Sequence, residues 1–338
     1  MHQRFLLIGD PHYRKDNAAV TDKFEAVIYE LLDTQSYDAI VVLGDVLDTH
    51  ETCDIRPLRR ITCFLLALAA RRPTYCLIGN HDRITPDDFM SCWHPLPGLE
   101  AAPPPNLWII SKAQRFGDCV FVPYVPDNRF REALATVDMT GVRAVFAHQT
   151  IRDAQLGSEK SQITEDWLPD DPPVFSGHIH EYQRVHPNWI YVGTPFPHEF
   201  VKSNPRKTVS VLTLVDRTED NPYGFLEERL WLCLPGKLRE DLTINDVVER
   251  LAVGWTPAAN MAYKWCITGR HAEIQTLTKN PVYHTLTRNV KLYYEYTDRS
   301  LAAAPTPTTK RSYLDILTGR LATAPLAMEY FRALLTAG

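Results

Sequence analysis

The stretch Ala39-Ile40-Val41-Val42-Leu43-Gly44-Asp45-Val46-Leu47-Asp48 decides how this chain is read. An aliphatic run of strand length, rich in β-branched residues, stops at Gly-Asp, which marks a buried strand with a carboxylate at its carboxyl end. Four other runs end in the same way. Phe5 to Gly9 leads into Asp10-Pro11-His12, and Tyr75 to Gly79 into Asn80-His81-Asp82. Val142 to Ala147 leads into His148, and Pro173 to Gly177 into His178-Ile179-His180. Polar residues at the carboxyl ends of such strands converge on one edge of a sheet, where open α/β folds place their sites. Asp, His and Asn gathered there suit hard or borderline divalent cations. Their order and spacing suggest two metals in one site.

Working outward, Phe24, Val27, Ile28, Leu31 and Leu32 recur with helical spacing between the first two runs. Leu58, Ile61, Phe64, Leu65 and Leu68 do the same between the second and third. The βαβαβ pattern makes these three strands parallel. Residues 94–105 are proline-rich and read as a surface loop. Further strands are expected near 107–110, 119–125, 142–147, 173–177 and 189–192, with a hairpin from 206–216 to 225–234. So many later strands imply a second sheet packed on the first. The character changes near Pro235-Gly236. Beyond it the pattern reads as a helix over 243–252, a strand over 261–268, a helix over 271–278 and a strand over 289–297. Ala302 to Thr309 is a linker by composition. Two short amphipathic helices follow, marked by Tyr313, Leu314, Leu317 and Leu321 and by Met328, Phe331, Leu334 and Leu335.

The chain has 338 residues, enough for one large domain plus a smaller one. No stretch approaches membrane-spanning length, and no signal peptide precedes the first strand. The expectation is therefore a cytoplasmic protein (the host-cell cytoplasm if phage-encoded), not secreted and with no membrane association. Seven scattered cysteines, an odd number, read as reduced thiols. The net charge of −5 does not advertise nucleic acid, and it does not exclude it, because bound metals would neutralise acidic groups.

Asp-x-His, Gly-Asp-x-x-Asp, Gly-Asn-His-Asp, a lone strand-end His and Gly-His-x-His, in that order, resemble the calcineurin-like metallophosphoesterase superfamily over roughly residues 4–200. The resemblance implies an α/β fold: a β-sandwich of two mixed sheets flanked by helices, with a small α/β capping domain and a helical C-terminal tail. The expected boundaries are 1–235 for the metallophosphoesterase domain, 236–300 for the cap, and 301–338 for the linker and helical tail. It implies two divalent cations, manganese foremost with magnesium as the alternative. Asp45 would bridge them. Asp10, His12 and His180 would complete the first site, and Asn80, His148 and His178 the second. A metal pair of this kind holds phosphate oxygens and acidifies water. His81 would not bind metal but would protonate the leaving oxygen, and Asp82 would orient His81.

A second motif without Arg, Gly44-Asp45-Val46-Leu47-Asp48, and a third motif ending in Asp82 in place of Glu separate the chain from protein Ser/Thr phosphatases. Phe121-Val122-Pro123-Tyr124-Val125-Pro126 and Tyr191-Val192-Gly193-Thr194-Pro195-Phe196 look like SbcD-type nuclease subunits of double-strand-break repair, especially the bacteriophage recombination branch. That resemblance implies DNA ends as substrate and an SbcC-type coiled-coil ATPase docked by the C-terminal tail; it is compatible with a homodimer. Two readings stand beside it: a stand-alone phosphodiesterase on small nucleotides, and a DNA-end-binding, ATPase-docking subunit with weak catalysis. Cellular members often carry His where this chain has Asp48. Asp48 is open between a partner for Arg56, a ligand for a substrate-side water and a plain turn carboxylate. Arg14, Lys15, Arg83, Tyr13, Tyr182 and the cluster Lys202, Arg206 and Lys207 are candidates for DNA contact or, equally, ordinary loop residues. His50 and His198 lie near the motifs, with an ordinary role favoured for both.

Overall fold

Strand alternation builds the sandwich. In β1 (Gln3–Ile8) the side chains of Phe5 and Leu7 enter one cluster while Leu6 and Ile8 enter another. Each strand buried on both faces therefore reads as a continuous apolar run. The computed structural model describes residues 2–48, 52–85, 93–157, 159–202 and 206–298. His50 and the helical tail expected at 301–338 lie outside the described residues.

β1 is followed by α1 (Ala18–Thr34), β2 (Ala39–Val42), α2 (Ile55–Ala69), β3 (Thr74–Leu77), α3 (Pro97–Ala101) and β4 (Leu107–Ile110). Next come β5 (Gln114–Phe116), β6 (Cys119–Val122), α4 (Phe130–Leu134), β7 (Ala144–Ala147), β8 (Gln155–Leu156), β9 (Glu159–Lys160), β10 (Val174–Ser176), β11 (Gln183–His186) and β12 (Trp189–Tyr191). The long hairpin β13 (Thr208–Leu214) and β14 (Phe225–Trp231) pairs from Thr208 with Trp231 to Leu214 with Phe225. One six-stranded sheet runs β14-β13-β1-β2-β3-β4 and the other β11-β12-β10-β7-β6-β5; the hairpin β8–β9 stands apart. β1 to β4 are parallel, as are β6, β7, β10 and β12, whereas β13, β14, β5 and β11 are antiparallel additions.

Phe5, Leu7, Val41 and Leu77 of the first sheet meet Phe121, Phe146 and Phe175 of the second in the core between the sheets. The opposite face of the first sheet packs on α1 and α2. Phe24, Ile28 and Leu32 lie at helical spacing on α1, as do Ile61, Phe64, Leu65 and Leu68 on α2. Asp54 caps α2 by accepting from the Arg56 amide. On the outer face of the second sheet, Trp189 and Tyr191 pack with Phe130 and Trp167. The result is a layered α/β sandwich of two mixed sheets.

The described residues divide into two compact units, 2–239 with 257–263, and 240–256 with 264–298. The division falls at 239/240, beside the expected 235/236, and residues 257–263 return to the first unit. The second unit takes the later parts of β15 (Gly236–Thr243) and β16 (Met261–Gly269) with α5 (Ile244–Ala252), α6 (His271–Thr278), α7 (Pro281–Leu286) and β17 (Val290–Tyr296), and the three strands are ordered β15-β16-β17. Trp265, Ile267, Val247 and Tyr283 are buried there, and Thr243 and Asp246 form a capping box at the start of α5. The sequence pattern missed β15 and α7. Gly236 and a run of charged residues mask β15, and α7 is too short to show a helical period. The proline-rich loop at 94–105 contains one helical turn, α3.

Candidate metal centre

Leu43 N donates to Ile8 O, then His12 N to Asp45 O (3.0 Å) and Tyr13 N to Val46 O (2.9 Å), so the loops after β1 and β2 stay side by side beyond the sheet. The turns that aim the side chains inward use left-handed backbone. Asp10 (φ 36°), His12 (41°), Asp45 (47°) and His178 (79°) all adopt it. Non-glycine residues pay strain there, and such strain gathers at functional sites. The glycines before the ligands have a steric reason. A Cβ at Gly79 would meet the carboxylate and backbone nitrogen of Asp45. One at Gly177 would lie 3.0 Å from His148 Nδ1 and 3.1 Å from Asp10 Oδ1.

All seven expected ligands come together. His12 Nε2 lies 3.1 Å from His180 Nε2 and 3.5 Å from Asp45 Oδ2. His178 Nδ1 lies 2.8 Å from Asn80 Oδ1 and 3.2 Å from His148 Nε2. His148 Nε2 is 3.0 Å from Asn80 Oδ1 and 3.4 Å from Asp45 Oδ1. The expected carboxylate and imidazole ligands fall into two groups, Asp10, His12 and Asp45 in one and Asp45, His148 and His178 in the other, each with its atoms within 4.8 Å of one another; His12, Asp48 and His81 form a third set at the same spacing. Asp45 belongs to the first two and turns a different oxygen to each, as a bridging ligand must.

The donor set fits two dications. Asp10 is fully buried, and its Oδ2 has no hydrogen-bond partner among the described residues. Its other oxygen accepts from the His178 amide at 2.7 Å. Burial lifts the Asp10 carboxyl to about 7 against the pull of His148; a dication beside it would reverse that lift. Burial would also raise Asp45, but His148 and His12 outweigh it and hold the carboxyl below the usual range. His178 and His180 are pushed down to about 3, first by burial and then by neighbouring imidazoles. Both are neutral at ordinary pH, the state a metal ligand requires. His148 donates Nδ1–H to Leu43 O at 2.6 Å, which fixes the tautomer that offers Nε2 to the site.

The second row of the site differs from expectation. Asp82 does not act as the orienting carboxylate. It is buried and accepts from the amides of Leu47 (2.9 Å), Gly79 (2.9 Å) and Val46 (3.2 Å), tying together the loops after β2 and β3. Asp48 takes the other role. Its Oδ1 is 3.2 Å from His81 Nδ1 and 3.4 Å from His12 Nδ1, and its Oδ2 accepts from Arg14 at 3.0 Å. Arg56 turns instead to its own cap, Asp54. The imidazoles of His12 and His81 and the Arg14 guanidinium beside it hold the Asp48 carboxyl well below the usual carboxylate range. Burial lowers His81, but Asp48 and Asp45 outweigh it and leave its pKa raised. The His81 amide donates to Asp45 Oδ1 at 2.9 Å, so the ring is hung from the bridging carboxylate.

His198 is the buried residue whose role sequence reasoning missed. Its Nε2–H donates to the Asp10 carbonyl at 2.8 Å, and its ring stands edge-on to those of His12 (4.8 Å) and His180 (5.2 Å). Only its place after Gly193-Thr194-Pro195 pointed there. Two candidates for DNA contact are withdrawn. Tyr13 is buried and donates to Glu25, and Arg83 is buried and donates to Ser111 O.

A two-cation phosphoesterase site is the class this geometry defines. The model of the calcineurin-like phosphoesterase family matches residues 3–190, and the chain belongs to that family. Across 94% of this chain it is 31% identical to "Putative phosphoesterase 078R" of Invertebrate iridescent virus 3, covering 92% of that protein. Across 82% of this chain it is 35% identical to "Putative phosphoesterase 244L" of Invertebrate iridescent virus 6, covering 98% of that protein. Among the described residues, no helix is long and apolar enough to cross a membrane.

Proposed function

We propose that this metal-dependent phosphoesterase hydrolyses phosphodiesters. The observation that carries the reading is His81, a non-ligand imidazole suspended beside bridging Asp45 and backed by Asp48. An alkoxide is a poor leaving group, and a raised-pKa imidazole at that place can protonate it. Two dications at the site would polarise phosphoryl oxygens and acidify attacking water. Asp45 fixes their spacing, while His178 and His180 stay neutral to receive them. The guanidinium groups nearest the motifs are engaged, Arg14 on Asp48 and Arg83 on Ser111 O. Positive charge then comes chiefly from the cations, which suits the single charge of a diester better than the two of a monoester. Four imidazoles among the ligands favour manganese over magnesium, which prefers oxygen ligands.

Two substrate classes fit. Small nucleotide diesters need nothing beyond the site described. DNA ends, cut by a nuclease subunit working with an SbcC-type ATPase, draw support from the segments at 121–126 and 191–196 and from the α/β second unit. The test is hydrolysis of bis-p-nitrophenyl phosphate, p-nitrophenyl phosphate, cyclic nucleotides and end-labelled linear DNA with Mn2+, with Asp45→Ala as control. Diester turnover that Asp45→Ala abolishes is expected. Faster turnover of the monoester overturns the diester reading, and intact DNA beside cleaved small diesters overturns the nuclease reading.

A further inference from the structure

A cleft of about 300 Å³ adjoins the metal ligand His180, walled by the segments that follow β10 and β12 and by β13 and β14. Its walls are chiefly polar. Lys207 donates to the His180 carbonyl at 2.7 Å and pairs with Glu181 at 2.7 Å, so the cleft and the ligand share a backbone support. Glu181 is the acidic residue among the described lining, and Lys207 already balances it. Glu227, just behind, is taken up by Tyr182, Ser210 and Arg184.

Two guanidinium groups are left. Arg206 lies over the Trp231 ring at 4.9 Å and Arg229 over the Tyr182 ring at 3.7 Å. Stacking occupies the face of a guanidinium and leaves its in-plane N–H groups pointing outward. Arg229 spends Nε on Thr208 Oγ1, and among the described residues Arg206 makes no hydrogen bond or ion pair. Two pre-oriented forks with uncompensated charge match the oxygens of a phosphate.

We propose that this cleft is a phosphate subsite, taking a phosphate of the substrate strand next to the one being hydrolysed. The inference rests on the phosphodiesterase reading and deepens it: the preferred substrate is an oligonucleotide with at least two phosphates. Free phosphate is the other source of the same chemistry, but the cleft's shared support with His180 joins it to the reacting centre.

The test compares thymidylyl-(3′→5′)-thymidine with the same dinucleotide carrying an added 5′- or 3′-terminal phosphate, at saturating Mn2+. The wild type is expected to favour one phosphorylated form through KM by about tenfold or more, the worth of a charge-assisted hydrogen bond. Arg206→Ala and Arg206→Glu, substitutions at an exposed position, should abolish that preference while changing turnover of the unphosphorylated dinucleotide by less than about twofold. Anisotropy of labelled oligothymidylate on metal-free protein should show a salt slope reduced by about 0.7, one contact on a single strand. Equal losses on both substrates, or no loss on either, overturn the subsite. So does inorganic phosphate that alters turnover of the plain dinucleotide in the wild type but not in Arg206→Ala, which marks a free-phosphate site. A wild type that turns over no diester at all overturns the underlying phosphodiesterase reading instead.

Discussion

Asp48→Asn should separate leaving-group protonation from metal binding. The change keeps the shape of the side chain and removes a charge 3.2 Å from His81 Nδ1. At that separation two unit charges interact by about 5 kcal/mol at an effective dielectric of 20 and about 1.3 kcal/mol in bulk water. The His81 side chain is 32% exposed and that of Asp48 25%, so screening sets the worth nearer the lower figure, about 1–3 kcal/mol. His81 should lose much of the upward shift that Asp48 gives it. The sign follows directly. Asp48 raises the pKa of His81, and rate is lost as pH rises through that pKa, so the alkaline limb of the pH–rate profile should move to lower pH by about one unit. With a deoxyribose oxygen as leaving group, kcat should fall about 10–100-fold. With p-nitrophenolate, which departs without a proton, the loss should be under about threefold. Asp48 also touches His12, so the assay needs saturating Mn2+ and a separate measurement of metal affinity. Equal losses with both leaving groups and an unmoved alkaline limb would refute the reasoning and show that Asp48 works through His12 and the metal.

The other predictions concern the frame of the site. Asp82→Ala leaves three buried amides unpaired and should cost about 3 kcal/mol or more, lowering Tm by about 10 °C; unchanged melting with reduced kcat would instead return Asp82 to the role of orienting His81. Gly79→Ala places a methyl against Asp45, so calorimetric titration with Mn2+ should show binding weakened by at least about tenfold. Stability of the metal-free protein should rise between pH 4.5 and 6.5. His178 and His180, at about 3, and His198, held well below 6.5 by burial, refuse protons that the unfolded chain accepts in that window. Asp10, lifted to about 7, opposes them; three groups against one leave two protons, a slope of up to about 2–3 kcal/mol per pH unit. His148, at about 9, keeps its proton while the unfolded chain starts to release one near pH 6.5, so it flattens the rise at the upper end of the window. A falling Tm over that range in chemical-free thermal melts would contradict the buried, neutral state of these rings.

Sequence by itself determined the parallel run of the first three strands, the two helices between them and which side chains stand at the carboxyl ends. Each of those properties is local: an apolar run of strand length followed by Gly and a polar residue, or an apolar stripe at helical spacing, is visible within a dozen residues. It is why Asp10, Asp45, Asn80, His148 and His178 were legible although they lie far apart in the chain. Only the tertiary structure decided what stands behind them. Asp48 rather than Asp82 backs His81, because the left-handed turn at Asp45 carries Asp48 over the site while Asp82 is drawn under the loops by three amides. His198 reaches Asp10 across 188 positions, and Tyr13 and Arg83, polar and next to motifs, are buried rather than turned to substrate. These outcomes depend on how neighbouring loops pass one another. Hydrogen bonds and steric exclusion through space set that path, and no periodicity along the chain encodes it.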